Sequence, residues 1–515
     1  MVSSPAILRL PAGIGSLFEE LLMARDPQAA LVALNRFGFG ARGGASGDLV
    51  NAASDPRGYV KTELMRPNGA LLELPGLQPT PALGQAMFAY QDEVKAAREA
   101  AAKVAALPPA SDTMKPVAPM AMSPTSAAPA MTVQSDAAKP PPAPPNVVQL
   151  TFRNEALARI QRATLVEGGF VERLVTFWSN HFCISASKGE PARIWAGSFE
   201  REAIRPHVLG RFGDMLKAVE QHPAMLFFLD NQQSIGPDSK AGQNRKRGLN
   251  ENLAREIMEL HTLGVGGGYA QADVSTLAAI ITGWTFVGRQ GRLGPPGSFA
   301  FNANAHQPGS QTLLGKTYGD TGVAQGEAAL TDIARHPSTA KFIAHKFAVH
   351  FVADAPPPAL VSKLEATFRS SDGDLRKLSQ ALLDSDEAWH APLGKMRTPY
   401  DYLIATNRLL GRIPDNPGAV LGGLNTLGQP LWTPAGPNGF ADSNAAWAAP
   451  EGMKLRLDLA AQVSSKIADS IDARELLEVM AGDAASPETR QTIARAETRQ
   501  QALALLLMSP EFQRR

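Results

Sequence analysis

Cysteine is almost absent: Cys183 is the one thiol in 515 residues. An internal disulfide is therefore impossible, and Cys-rich zinc sites are excluded. Cys183 follows an apolar helix end, so it reads as a packing residue rather than a nucleophile. A surplus of either charge is missing as well. The 50 basic residues face 49 acidic ones, a net charge of +1. A nucleic-acid binder needs positive charge gathered on one face, and this balance points to no such partner. No stretch reaches the roughly 18 apolar residues that span a bilayer. Met1 to Asp26 lacks the basic flank and apolar core of a secretory leader, and no twin-arginine pair occurs there. As written, the chain reads as cytoplasmic.

Strand signals are thin, and Ser298–Asn302 is the one candidate hairpin arm. What is abundant is helical periodicity. It predicts helices over 170–182, 191–205, 214–220, 249–263, 271–281, 339–352, 375–383, 400–410, 456–468 and 492–508. Gly- and Pro-rich loops over 283–297 and 411–450 separate them. With 44% hydrophobic and 19% charged residues the composition is globular, and the length is enough for a large core. The expected class is mainly α, an irregular multi-helix domain with long loops.

One segment differs from the rest. Eleven of the 40 prolines lie between Pro108 and Pro145, mixed with Ala, Met, Ser and Thr. Such a composition cannot bury enough apolar area to offset chain entropy. It reads as a disordered insertion over 108–146. Residues 1–107, which include a helix from about 81, are too few for a comfortable core of their own. They are expected to pack with the main helical domain, 147–515.

The strongest chemical signal is an acid placed where apolar residues belong. At about 100° per residue, Leu249, Leu253, Leu260 and Leu263 share a face. Glu256 points into it, with Asn252 one turn before and Glu259 one turn after. Burying a carboxylate is costly unless something pairs with it. Two other helices break their pattern in the same way. His181 falls inside the arc of Phe170, Leu174, Phe177 and Trp178. Lys346 and His350 lie within the arc of Phe342, Ile343 and Phe347. Violations of local rules gather at functional sites. The expectation is that Glu256, Glu259, His181, Lys346 and His350 converge on one polar pocket.

Two carboxylates an i, i+3 step apart can share a proton or flank a cation. A carboxyl raised by burial beside an ionised one supplies the parts for acid/base hydrolysis. Glu256 is then the acid, Glu259 the base or charge stabiliser, and His181 and Asn252 orient substrate or water. Asn180, Arg205, Asp230, Asn231, Trp284, Lys346 and His350 are the remaining candidates for lining the cleft. Arg205 suits Glu256, Glu259 or an anionic substrate as counter-ion. His261 falls more than a quarter turn from the Glu256 stripe. A di-iron site needs a Glu-x-x-His pair on each of two helices, and the sequence does not supply two. Gly266-Gly267-Gly268 fits a helix C-cap and turn better than a phosphate loop.

An ordered series of motifs carries a resemblance. It runs from Asn35-Arg36-Phe37-Gly38-Phe39-Gly40 through Phe177-Trp178-Ser179-Asn180-His181-Phe182, Arg205-Pro206-His207, His222-Pro223-Ala224-Met225 and Leu229-Asp230-Asn231. It continues through 250–264, Thr282-Gly283-Trp284, Leu313-Leu314-Gly315, Arg397-Thr398-Pro399-Tyr400 and Ser509-Pro510-Glu511-Phe512-Gln513. In these the chain resembles a large bacterial group catalogued as domain of unknown function 1800. The resemblance covers nearly the whole chain outside the proline-rich insertion, and it implies no defined activity. Relatives often carry an acid after the loop histidine, where Gln307 follows His306 here. That weakens a metal role for this loop. Many relatives look exported, which sets a periplasmic or external location against the cytoplasmic reading.

The reading that results is a hydrolase of a polar substrate, small or polymeric, with carbohydrate as one candidate; the sequence itself calls for no cofactor and leaves a divalent metal open. The rival is a non-catalytic helical scaffold or partner-binding protein with a buried ion network, the proline-rich tract serving as tether or recognition segment. A third reading places a divalent metal on His181, Glu256 and His350.

Overall fold

The structure is a computed structural model that describes residues 26–105, 145–243 and 248–515. All but the last two residues of the proline-rich insertion expected over 108–146 lie outside that range. So does most of the N-terminal stretch read for a leader.

The fold is mainly α, as the periodicity predicts. We label the helices that position the site α1 (Pro27–Asn35), α2 (Thr80–Ala105), α3 (Val147–Leu165), α4 (Phe170–His181) and α5 (Phe212–Glu220). They continue with α6 (Asn252–Glu256), α7 (Gln271–Ile280), α8 (Pro337–Phe351), α9 (Pro399–Leu409), α10 (Pro450–Ile467) and α11 (Arg499–Met508). Their starts follow local chemistry. Asp26, Asn146, Thr398 and Thr498 each accept a backbone N–H of the first turn. Proline stands in the first turn of α1, α8 and α9, where a missing N–H costs nothing.

Two short antiparallel ribbons complete the inventory among the described residues. β1 (Trp284–Phe286) pairs with β2 (Phe299–Phe301), and β3 (Gln311–Leu313) with β4 (Lys316–Tyr318). β2 is the strand expected within Ser298–Asn302. Among the described residues no helix is long and apolar enough to cross a membrane.

Three helices expected to be continuous are broken. The 191–205 segment forms Glu190–Ile194 and Ala196–Phe199, then a π-helical turn, Glu200–Ile204, and a 3-10 turn, Arg205–His207. The widened turn ends where Glu200 and Arg205 both point inward and pair at 3.0 Å. The 249–263 segment starts late, because the Asn250 side chain accepts the Asn252 N–H, and it widens into a second π turn, Ile257–His261. The 492–508 segment splits into Pro487–Ala494 and α11, because Thr498 caps a new start.

Two buried clusters form the core. The larger joins Leu34 and Phe37 to Phe170, Phe177, Ile343, Phe347, Phe351 and Trp389. The smaller gathers Phe39, Ile160, Tyr400, Ile404, Leu503 and Phe512. Each fully buried ring of this kind contributes on the order of 1.5–3 kcal/mol. The motif from Asn35 to Gly40 stitches the two together: Phe37 faces one cluster and Phe39 the other. Between them, a Cβ on Gly38 would lie 2.3 Å from the Gly168 carbonyl oxygen, so only glycine fits there.

Candidate functional site

The site is built on α4, α6 with its π turn, and α8. On α6 the one cation is Arg255, and it reaches Glu251 (3.0 Å) and Glu259 (3.5 Å), not Glu256. Glu256 is half-buried and makes no hydrogen bond or ion pair among the described residues. Burial raises its carboxyl above the usual range; His261 and Arg255 oppose this, and Glu259 adds to it. Burial and the neighbouring Glu259 carboxylate push the Tyr269 phenol up in turn.

The π turn explains why His261 belongs here although a count at 100° per residue turns it away. Bonding from i to i+5 admits one more residue per turn, and so brings positions five apart toward one side. His261 is fully buried and donates Nδ1–H to Glu220 Oε1 at 2.8 Å, an equally buried carboxylate at the end of α5. Its Nε2 and Glu220 Oε2 have no partner among the described residues.

His181, on α4, is buried behind this turn. Its Nε2–H donates to the His261 carbonyl at 3.1 Å, and its Nδ1 has no partner among the described residues. Burial, with help from nearby Lys346 and His261, holds the imidazole well below its ordinary value, so it is neutral. Lys346, on α8, has its ammonium 5.4 Å from the centre of the Phe342 ring. Burial lowers it to about 8, against the opposing pull of Cys183 and Asp442. Cys183 donates to the Pro437 carbonyl at 3.3 Å, and burial pushes its thiol up to about 12, a protonated and poorly nucleophilic state.

Glu256, Glu259, His261, His181, Lys346 and Cys183 thus form one neighbourhood. His350 is beside it, across the Phe177 ring at 5.2 Å, but belongs to a different cluster. It donates Nδ1–H to Asp442 at 2.6 Å, and its Nε2 faces Arg173 at 3.4 Å. Arg515 and Lys395 also hold Asp442, while Arg173 and Arg515 each lie 3.2 Å from Asp401. Burial lowers His350 to about 4, which keeps it neutral within this knot.

The other sequence-derived candidates are placed elsewhere. Arg205 is fully buried and pairs with Glu172 and Glu200, not with Glu256 or Glu259. Asn231 donates to the Ile281 and Trp284 carbonyls inside the core, and Trp284 has no exposed surface. Asp230 pairs with Lys188. Asn252 is exposed at the start of α6. Asn180 grips Phe440 through both ends of its amide, at 2.9 and 2.8 Å.

Glu220, Asp401, Asp442, Arg173 and Arg515 were not singled out from sequence. Glu220 was within reach: Phe212, Leu216 and Glu220 form an i, i+4, i+8 row, the same inward acid that marks Glu256. Asp442 lies in an irregular loop and gives no periodic signal. Among the described residues no three His, Cys, Asp or Glu side chains come together as a metal-binding group, so His181, Glu256 and His350 do not form one. The loop histidine, His306, faces the Thr282 carbonyl at 3.0 Å.

The arrangement offers two carboxyls on one turn, one beside a cation and one without, backed by a carboxylate–histidine pair. No curated protein and no solved structure matches the chain. One family model does, over residues 32–514, under the description protein of unknown function (DUF1800), and the chain therefore belongs to that family.

Proposed function

We propose that this protein is a hydrolase of a polar substrate, working by carboxylate acid/base chemistry on the Glu256–Glu259 turn. One observation supports this above the rest: the two acids have different surroundings. Glu256 is half-buried with no cation against it, and its carboxyl is raised; Glu259 has Arg255 at 3.5 Å. Environments that separate two neighbouring carboxyls divide the roles of acid and base between them. In this reading the Glu256 carboxyl gives its proton to the leaving group. Glu259 takes a proton from the attacking water or faces the developing positive charge. His181 acts from behind, fixing the π turn through the His261 carbonyl. Carbohydrates are the first substrate class to examine, since both partners of a glycosidic cleavage are carboxyls.

The test is a panel of polysaccharides and esters offered to the full chain and to Glu256→Gln. Turnover of at least one member, reduced on the order of a hundred- to ten-thousandfold in the variant at unchanged melting temperature, is the expected result. No turnover across the panel, or full turnover by the variant, overturns it.

A second reading, a helical scaffold or partner-binding protein, is favoured by the buried ion networks. Arg205 with Glu172 and Glu200, and Arg173 and Arg515 with Asp401, are paired charges turned away from solvent. A large fall in melting temperature for Glu256→Gln, with no substrate found, favours this reading over the first.

A further inference from the structure

A cavity of about 50 Å³ opens between α3, α4, α9 and the 429–440 loop, with Cys183 on its wall. Its polar lining is unusual in sign. Arg159, on α3, is 6% exposed and lies under the Tyr400 ring at 4.6 Å and near Trp432 at 5.6 Å. Its one ionic contact is Nε to Glu200 Oε2 at 2.9 Å, and the Nη end of the guanidinium has no hydrogen-bond partner among the described residues. Tyr400 is 4% exposed, and its hydroxyl likewise has no partner there. Gln429 uses its amide oxygen on the Tyr400 backbone N–H (2.8 Å), which leaves its NH₂ free. The other polar groups on the wall are occupied: Ser179 donates to Glu200, Thr176 to the Glu172 carbonyl, and Asn180 is bound to Phe440. The free ends of Arg159, Tyr400 and Gln429 can each donate into the cavity, and of the three only the Tyr400 hydroxyl can also accept. These ends keep contact with the open space of the cavity, where an acceptor can reach them.

Charge points the same way. Behind the wall, three guanidiniums (Arg159, Arg162 and Arg205) share two carboxylates, Glu172 and Glu200. One positive charge is left over; Arg162 carries part of it toward solvent, and the surplus favours an anion beside Arg159. Ile184, Leu431 and Phe440 supply apolar surface beside the donors. At about 10–15 Å³ per water-sized occupant, the space takes roughly three to five heavy atoms.

We propose that this cavity is a binding site for a small monocarboxylate of two or three carbons. The carboxylate meets the Arg159 guanidinium edge, whose paired N–H groups match it bidentately. The Tyr400 hydroxyl and the Gln429 NH₂ donate to it, and the short alkyl end lies against Ile184 and Leu431. The site does not depend on the acid/base reading of Glu256.

The probes are acetate and propionate, titrated calorimetrically into the full chain in chloride-free buffer, with propionamide as the uncharged control. Saturable millimolar binding of propionate, at least tenfold tighter than propionamide, is the expected result. Tyr400→Phe removes one oxygen and keeps the ring over Arg159; it weakens propionate roughly tenfold, as loss of a hydrogen bond to a charge should. Arg159→Lys replaces the fork by a point charge and weakens it more; should it not fold, Tyr400→Phe alone decides. Absence of saturable binding, equal binding of the amide, or unchanged affinity in folded Tyr400→Phe overturns the proposal.

Discussion

Two clusters of buried charge lie on either side of Phe177, and they are built on opposite rules. Around Asp401 and Asp442, each carboxylate meets at least two cations: Arg173 and Arg515 for the first, Arg515 and Lys395 for the second. Around Glu256 the nearest cation is spent on Glu251 and Glu259, and the acid on the inner side of the turn has none. A paired buried charge contributes to specifying one packing arrangement. An unpaired, half-buried acid contributes nothing to stability and is retained against its desolvation cost. The first cluster therefore reads as architecture, and the second is where chemistry is to be sought.

The comparison breaks most visibly at Asp401. Burial alone would raise its carboxyl, but Arg173, Arg515, His350 and Arg397 outweigh burial and hold it at about 2. Asp401→Asn leaves two fully buried guanidiniums without their shared counter-charge. It is expected to cost roughly 3–5 kcal/mol, the range for breaking a buried pair from one side. The pH dependence follows from the depressed value. The stabilisation is complete above the ordinary aspartate value of 3.8 and is lost as pH falls from there through about 2. Urea unfolding of wild type and variant should give curves that converge over that acid window. A constant gap down to pH 2 would count against the ion pairs as the source.

A smaller effect is expected where the two clusters share a wall. The 436–442 loop supplies the carbonyls that Cys183 reaches on one side and Asp442 on the other. Gly439 sits at φ +74°, and a Cβ there would approach the Asn180 carbonyl oxygen to 2.5 Å. Gly439→Ala should cost about 1–3 kcal/mol, as left-handed strain at a non-glycine residue does. Because the loop must shift, the amide of Asn180 should also lose its hydrogen-exchange protection. Retained protection with an unchanged melting temperature would show that the loop does not couple the clusters.

These contrasts were only partly legible in the sequence. Helix positions were, because apolar periodicity is local: Leu375–Leu383 falls where the pattern predicts it. The inward placement of Glu256, His181 and Lys346 was legible for the same reason. The π turn at Ile257–His261 was not, since a fixed 100° step carries no signal for a widened turn, and His261 was lost with it. Pairing was not legible either. From sequence Arg205 suits Glu256, Glu259 or an anionic substrate, whereas tertiary packing gives it Glu172 and Glu200. Arginines of the motifs brace the fold: Arg36 donates to the Ala388, Ala391 and Pro392 carbonyls, and Arg397 to the Phe39 carbonyl and the Asn35 side chain.

The smallest expected effect is the one that sharpens the contrast most. Glu256 has a folded-state carboxyl raised above its ordinary value of 4.5, the reverse of Asp401. Below about pH 4.5 both folded and unfolded chains carry it protonated, and it makes no difference to stability. As pH rises, the unfolded chain ionises first, so wild type loses stability until the folded carboxyl has ionised too, and the loss then persists. Glu256→Gln has no charge to desolvate. It should therefore match wild type in acid and exceed it at neutral pH, by less than about 0.5 kcal/mol, the usual range outside a core. Asp401→Asn and Glu256→Gln thus move stability in opposite directions at pH 7, although each replaces one carboxylate by its amide. A loss of stability at neutral pH in Glu256→Gln would mean that Glu256 does have a stabilising partner, and the distinction between the two clusters would fail.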